Sequence, residues 1–181
     1  MTTKRPYGLL AALALCALFA ALTAVFSWIS VPIGPVPINL ALLSVLMCGL
    51  ILGPRKALIA VGVYILMGAV GAPVFAGFRG GAGVLLGPTG GYIVGYLPAA
   101  FISGLAAERG GSHPGLKRIA FMALGVAACY LLGSIWFAVL RKAALWDTLC
   151  LCVFPFLPGD ALKVALAAFL APRIDDVIRK M

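Results

Sequence analysis

Charge is what this chain has least of. Only 10% of its 181 residues are Asp, Glu, Lys or Arg, and just five are acidic. An average soluble chain is about a quarter charged, so a water-exposed globular fold is excluded. One histidine, His113, leaves no His cluster and no H-E-x-x-H pair to hold a catalytic metal. There is no G-x-x-x-x-G-K-[ST] loop either. The Gly-rich stretch Gly80–Gly91 has no lysine to meet a phosphate, so ATP hydrolysis by that route is excluded. Ser103 and Ser134 each adjoin a glycine, but His113 belongs to a separate polar segment, so no Ser–His pair of an intramembrane protease stands out. The cysteines Cys16, Cys48, Cys129, Cys150 and Cys152 lie in apolar runs and read as small hydrophobes. Cys150-x-Cys152 lacks both the gap and the second pair of a zinc site. No enzyme, metal or cofactor is expected.

What the chain has is apolar length. It is 64% hydrophobic, and its mean hydropathy is +1.14. Uncharged runs cover Pro6 to Pro54, Ala57 to Phe78, Gly80 to Ala107 and Ile119 to Leu140. A membrane-crossing helix needs about 20 such residues. The reading is a single-domain, all-α integral membrane protein over residues 1–181, with six transmembrane helices. They are expected at Gly8–Ile29, Asn39–Gly53, Ala57–Gly71, Gly90–Ala107, Ile119–Leu140 and Thr148–Ala171, the second and third being short. Lys4-Arg5 before an apolar run has the look of a signal peptide, but the run is too long and reads as a retained first span.

The formal charge of +9 then has a topological cause rather than a nucleic-acid partner. With both termini cytoplasmic, the inner side carries Lys4, Arg5, Arg55, Lys56, Arg109, Lys117, Arg118, Arg173, Arg179 and Lys180, and the outer side Arg79, Arg141 and Lys142. That is ten against three, with Lys163 inside the bilayer.

Asp160 and Lys163 are the only charges between Thr148 and Ala171. Three residues apart on a helix, they share a face. Each costs roughly 2.5–3.5 kcal/mol at mid-bilayer, which points to something polar held there. The plainer reading is an Asp160 at a helix start opened by Pro158-Gly159, with Lys163 neutralising it. Two other segments frame this pair. Val31-Pro-Ile-Gly-Pro-Val-Pro37 excludes a helix and is expected to be an extended outer loop. Gly71 to Gly91 is too rich in glycine for a stable helix yet apolar apart from Arg79 and Thr89. Irregular backbone of that kind is tolerated at membrane depth where it lines a cavity, so a lid over the outer mouth is expected. The polar constellation is Asp160, Lys163, Arg79, Asn39, Thr89 and Tyr92. Carboxylate beside ammonium suits a urea-like or amide head, and an arginine suits an anionic tail. On the first helix, Ala17/Ala21 and Ala20/Ala24 have the small-xxx-small spacing that admits a partner helix, although an Ala-rich helix also produces it by chance.

Four blocks resemble the BioY family, the biotin-binding membrane subunit (S component) of energy-coupling-factor (ECF) transporters. They are Pro35-Val-Pro-Ile-Asn-Leu40, Leu52-Gly-Pro-Arg-Lys56, Gly71-Ala-Pro-Val-Phe75 through Phe78-Arg-Gly-Gly-Ala-Gly83 to Gly87-Pro-Thr-Gly-Gly-Tyr92, and Leu157-Pro-Gly-Asp-Ala-Leu-Lys163. The resemblance implies a six-helix component that captures biotin at its outer face in the bacterial inner membrane. It assigns Asp160 and Lys163 to the ligand and Arg79 to its carboxylate, with Gly80, Gly81, Thr89, Tyr92 and Asn39 around them. It turns Ala17, Ala20, Ala21 and Ala24 toward a transmembrane coupling subunit that works with two ATPase subunits. One position departs from the pattern. The family commonly has Gln after Pro-Ile-x-Leu, where this chain has Ala41, so Asn39 is the candidate to replace that contact. A solitary proton-coupled carrier, or the same fold with another vitamin, are the competing readings.

Overall fold

The computed structural model describes residues 8–32, 35–108 and 114–180, with backbone only at 114, 179 and 180. His113, Arg109, Lys4 and Arg5 lie outside the described residues. The architecture is helical, as expected, with one small addition. Helix α1 (Leu9–Trp28) leads into a two-residue ribbon, β1 (Ser30–Val31) and β2 (Ile38–Asn39), paired antiparallel as Ser30 with Asn39 and Val31 with Ile38. The ribbon flanks the prolines rather than containing them, which is where missing N–H donors do least harm.

Helix α2 (Ala41–Leu52) follows, and Gly53 at φ 81° turns the chain into α3 (Pro54–Ala69). Pro54 sits at the first turn of α3, where its absent N–H is not missed. The stretch expected to lack helix contains one short turn, α4 (Ala82–Leu85). Then come α5 (Gly90–Glu108), α6 (Pro114–Arg141), α7 (Leu145–Cys152) and α8 (Leu157–Lys180).

Length sorts these helices. Helices α1, α5 and α6 are long and apolar enough to cross a membrane, and α7 with α8, bent by 56° at their break, makes a fourth if taken as one span. At ~1.5 Å per residue, α2 is about 18 Å long, well short of a ~30 Å hydrocarbon core. All twelve of its residues are buried, because α1, α3, α5 and α8 pack around it. A helix sheathed in protein need not match lipid thickness.

Close approach in the bundle depends on missing side chains. A Cβ on Gly49 would lie 2.1 Å from Ser103 Oγ and 2.6 Å from Ala100 O, so α2 meets α5 backbone to backbone. A Cβ on Gly91 would run into Trp136, which lets α6 lie tightly on α5. Where tight packing leaves hydroxyls inside, they find partners: Thr23 Oγ1 lies 2.9 Å from Ser44 Oγ, and Ser103 Oγ donates to Ala99 O at 2.8 Å.

The structure divides the four alanines of α1. Ala17 and Ala21 are exposed, whereas Ala20 and Ala24 are 2% and 5% exposed within the bundle core. Ala20 and Ala24 therefore serve the intramolecular packing of α1, and burial leaves them no surface for another subunit, contrary to the expectation from spacing. A spacing of four leaves two adjacent stripes on a helix, and only packing decides which of them faces inward.

Candidate functional site

At one end of the bundle the long loop after α3 folds back over the helices. Two indoles fix it. Trp28, at the end of α1, donates from Nε1 to Pro73 O at 2.8 Å, and Trp136 on α6 donates to Gly87 O at 2.9 Å. Phe78, at φ 56°, stacks on Trp28 with ring centroids 4.9 Å apart. Phe75 is buried against Gly68 and meets the Tyr64 ring edge-on at 5.6 Å. A backbone bridge from Phe75 N to Arg79 O, 2.9 Å, closes the turn that carries Arg79.

Beneath this loop lies a cavity of about 510 Å³, within the usual range for small-molecule sites. The loop contributes Phe75, Ala76, Gly77, Arg79, Val84 and Thr89 to its wall. The α1 end and the ribbon add Ser27, Trp28, Ser30 and Asn39, the segment between the strands adds prolines and Val36, and Tyr64, Tyr92, Ile93 and Tyr96 come from the helices. Most of these surfaces are aromatic or aliphatic, with hydroxyls and one amide among them. Among the described residues, Arg79 is the only charged group in the lining, and its guanidinium has no ion-pair partner. Such a space suits an amphipathic molecule with one negative end.

Asn39, Arg79, Thr89 and Tyr92 thus line this one cavity. Gly80 and Gly81 are not among its lining residues. A Cβ on Gly80 would lie 2.2 Å from Ala72 O, and Gly81 holds φ 96° while its N–H donates to Gly68 O at 2.7 Å. Both shape the loop backbone, and this is the reason for glycine there.

Asp160 and Lys163 are placed differently again. They are 4% and 5% exposed and line a second, small space of about 40 Å³ with Tyr130, Cys129 and Phe156. Val36, Pro37, Asn39, Tyr92 and Tyr96 line both spaces, so they form the partition between them. Proline makes this placement possible: α7 ends, the chain bends, and Asp160 enters in the first turn of α8. Lys163, one turn on, donates to Asp160 Oδ1 at 2.5 Å, and Tyr130 on α6 donates to Asp160 Oδ2. A buried ion pair survives when further hydrogen bonds meet its remaining atoms, and Tyr130 does that here.

Asn39 Oδ1 accepts from Ala41 N at 3.0 Å and from Tyr96 Oη at 3.4 Å. Ala41 begins a helix while Asn39 ends a strand, so Asn39 alone of the two reaches the cavity. Sequence reasoning missed Tyr64, Tyr96, Tyr130, Ser27 and Trp28. For the four aromatics, a polar tip within an apolar run was the available signal; Ser27 carried none.

The BioY family model matches residues 1–180. The chain belongs to the BioY family. A probable biotin transporter BioY of Pyrococcus horikoshii is 42% identical over 160 residues, covering 88% of this chain and 93% of that protein. The biotin transporter BioY of Thermotoga maritima is 39% identical over 161 residues, covering 87% and 91%. Among solved structures, the crystal structure of the S-component for biotin from an ECF-type ABC transporter superposes with a TM-score of 0.84 at 28% identity. The match covers 97% of this chain and 95% of that one.

Proposed function

We propose that this chain is the biotin-binding S component of an ECF-type uptake system, a transporter subunit and not an enzyme. The observation that carries the reading is the superposition on an S-component for biotin across 97% of the chain, with a cavity in place whose one charge among the described residues is positive. Biotin has a neutral ureido-bicyclic head and a carboxylate tail. In this reading Arg79 holds the carboxylate at the mouth, Thr89 and Tyr92 flank the tail, and Asn39 addresses the head. Asp160 accepts from the head's N–H and Lys163 donates to its carbonyl once the partition of Asn39, Tyr92 and Tyr96 gives way. The loop from 70 to 90 acts as the lid, and Gly80 and Gly81 support it from behind.

Six crossings, with both ends cytoplasmic, follow if the sheathed α2 and the basic-ended α3 each count as one. The whole of residues 1–181 is then one transmembrane domain in the cell (inner) membrane of a bacterium. No resident cofactor is needed for capture. With no nucleotide site of its own, the subunit requires a transmembrane coupling partner and two ATPase subunits, and Ala17 and Ala21 are the stripe of α1 free to meet the former.

Equilibrium binding of labelled biotin to the purified, detergent-solubilised chain tests the reading. Saturable binding, displaced by unlabelled biotin, is expected. A folded chain that takes up no biotin would leave the fold standing and return the ligand to open ground.

A further inference from the structure

Resting on the biotin reading, the geometry points to Tyr130 as a positioning residue for the Asp160 carboxylate. The two charged residues belong to α8, but Tyr130 reaches them from α6, a different helix. Lys163 occupies Oδ1 and the Tyr130 hydroxyl occupies Oδ2, so both oxygens are engaged without any ligand. Lys163, on the same helix, restrains Asp160 only relative to α8. Tyr130 is the one neighbour of Asp160 that ties the carboxylate to another helix through a side-chain hydrogen bond among the described residues. It also lines the small space that faces the Asn39–Tyr96 partition.

The chemical consequence follows from lone-pair counting. An ionised carboxylate has about four acceptor sites, and Tyr130 and Lys163 take two. The remaining sites are left for a further donor in the small space that Asp160 lines together with Asn39 and Tyr96. With phenylalanine at 130 the carboxylate keeps Lys163 but is free to rotate, and a ligand N–H meets it out of register. Tyr130 thus acts through Asp160 and needs no contact with ligand.

The experiment compares wild type, Tyr130→Phe, Asp160→Asn and the double variant for biotin binding. Alongside, the carboxylate stretching bands of Asp160 are read by infrared difference spectroscopy, assigned by their loss in Asp160→Asn. The expected result is about tenfold or greater loss of affinity in Tyr130→Phe, since a hydrogen bond to a charge is at stake. No further loss is expected when Tyr130→Phe is added to Asp160→Asn, because the two act as one unit. The Asp160 bands should shift in ligand-free Tyr130→Phe. Unchanged affinity in Tyr130→Phe, or losses that simply add, would overturn the proposal. Should wild type bind no biotin, the biotin reading falls on its own, and the ligand-free bands decide the role of Tyr130: shifted bands support it, identical bands sink it.

Discussion

Removing one member of a buried ion pair leaves the other charge without a counterpart, and breaking such a pair costs about 3–5 kcal/mol. Asp160 and Lys163 are in that position, 2.5 Å apart and almost fully enclosed. Asp160→Asn and Lys163→Ala are each expected to weaken biotin binding by roughly 2–5 kcal/mol, measured by equilibrium titration. Wild-type affinity in both variants would make the pair a structural feature only. Arg79 lines the main cavity instead, exposed and without an ion-pair partner among the described residues. Arg79→Gln should cost about 1–2 kcal/mol with biotin, a charge-assisted bond discounted for solvent, and close to nothing with biotin methyl ester. Equal losses with both ligands would remove Arg79 from the carboxylate. Asp160 and Lys163 were legible as charges in an apolar run. Their separation from the main cavity was not, because which side chains form a partition depends on Tyr92, Tyr96 and Asn39 arriving from other elements.

Among the elements, α1 shows how a sequence pattern splits on folding. Ala20 packs into the core, so Ala20→Trp should lower the thermal unfolding temperature and reduce biotin binding with it, an overpacking cost of about 1–3 kcal/mol or more. Ala21 lies on the open stripe, so Ala21→Trp should leave biotin binding intact and abolish co-purification with the coupling subunit. Retained co-purification would move the partner contact elsewhere. The loop from 70 to 90 was legible as irregular and apolar, since glycine disfavours helix. Its fixing points were not. Trp28 and Trp136 lie far from it in sequence, and each donates a single indole bond to a loop carbonyl. Trp136→Phe keeps the ring and loses the bond to Gly87, so faster biotin dissociation is expected in a stopped-flow chase, with little change in association.

For the whole molecule, crossing number and orientation are matters of the membrane. Cysteines introduced at Arg79 and Lys142 in a cysteine-free background should react with an impermeant maleimide in intact cells, and those at Arg55 and Lys117 only after permeabilisation. Labelling of Arg55→Cys from outside would reverse the assigned orientation. Sustained biotin accumulation in vesicles is likewise expected only with the coupling and ATPase subunits present. Accumulation driven by a proton gradient with this chain alone would favour a solitary carrier. The order of residues along the chain was enough for the solvent of this protein, its helical class and the presence of Asp160 and Lys163 as charges in an apolar run. Apolar length and the rarity of charge are local properties that no packing can alter. Tertiary structure alone decided that α2 is a fully sheathed short helix, that Ala20 and Ala24 turn inward, and that Tyr130 completes the Asp160–Lys163 pair. Each depends on contacts between residues distant along the chain, and helical periodicity names a face without naming what will cover it.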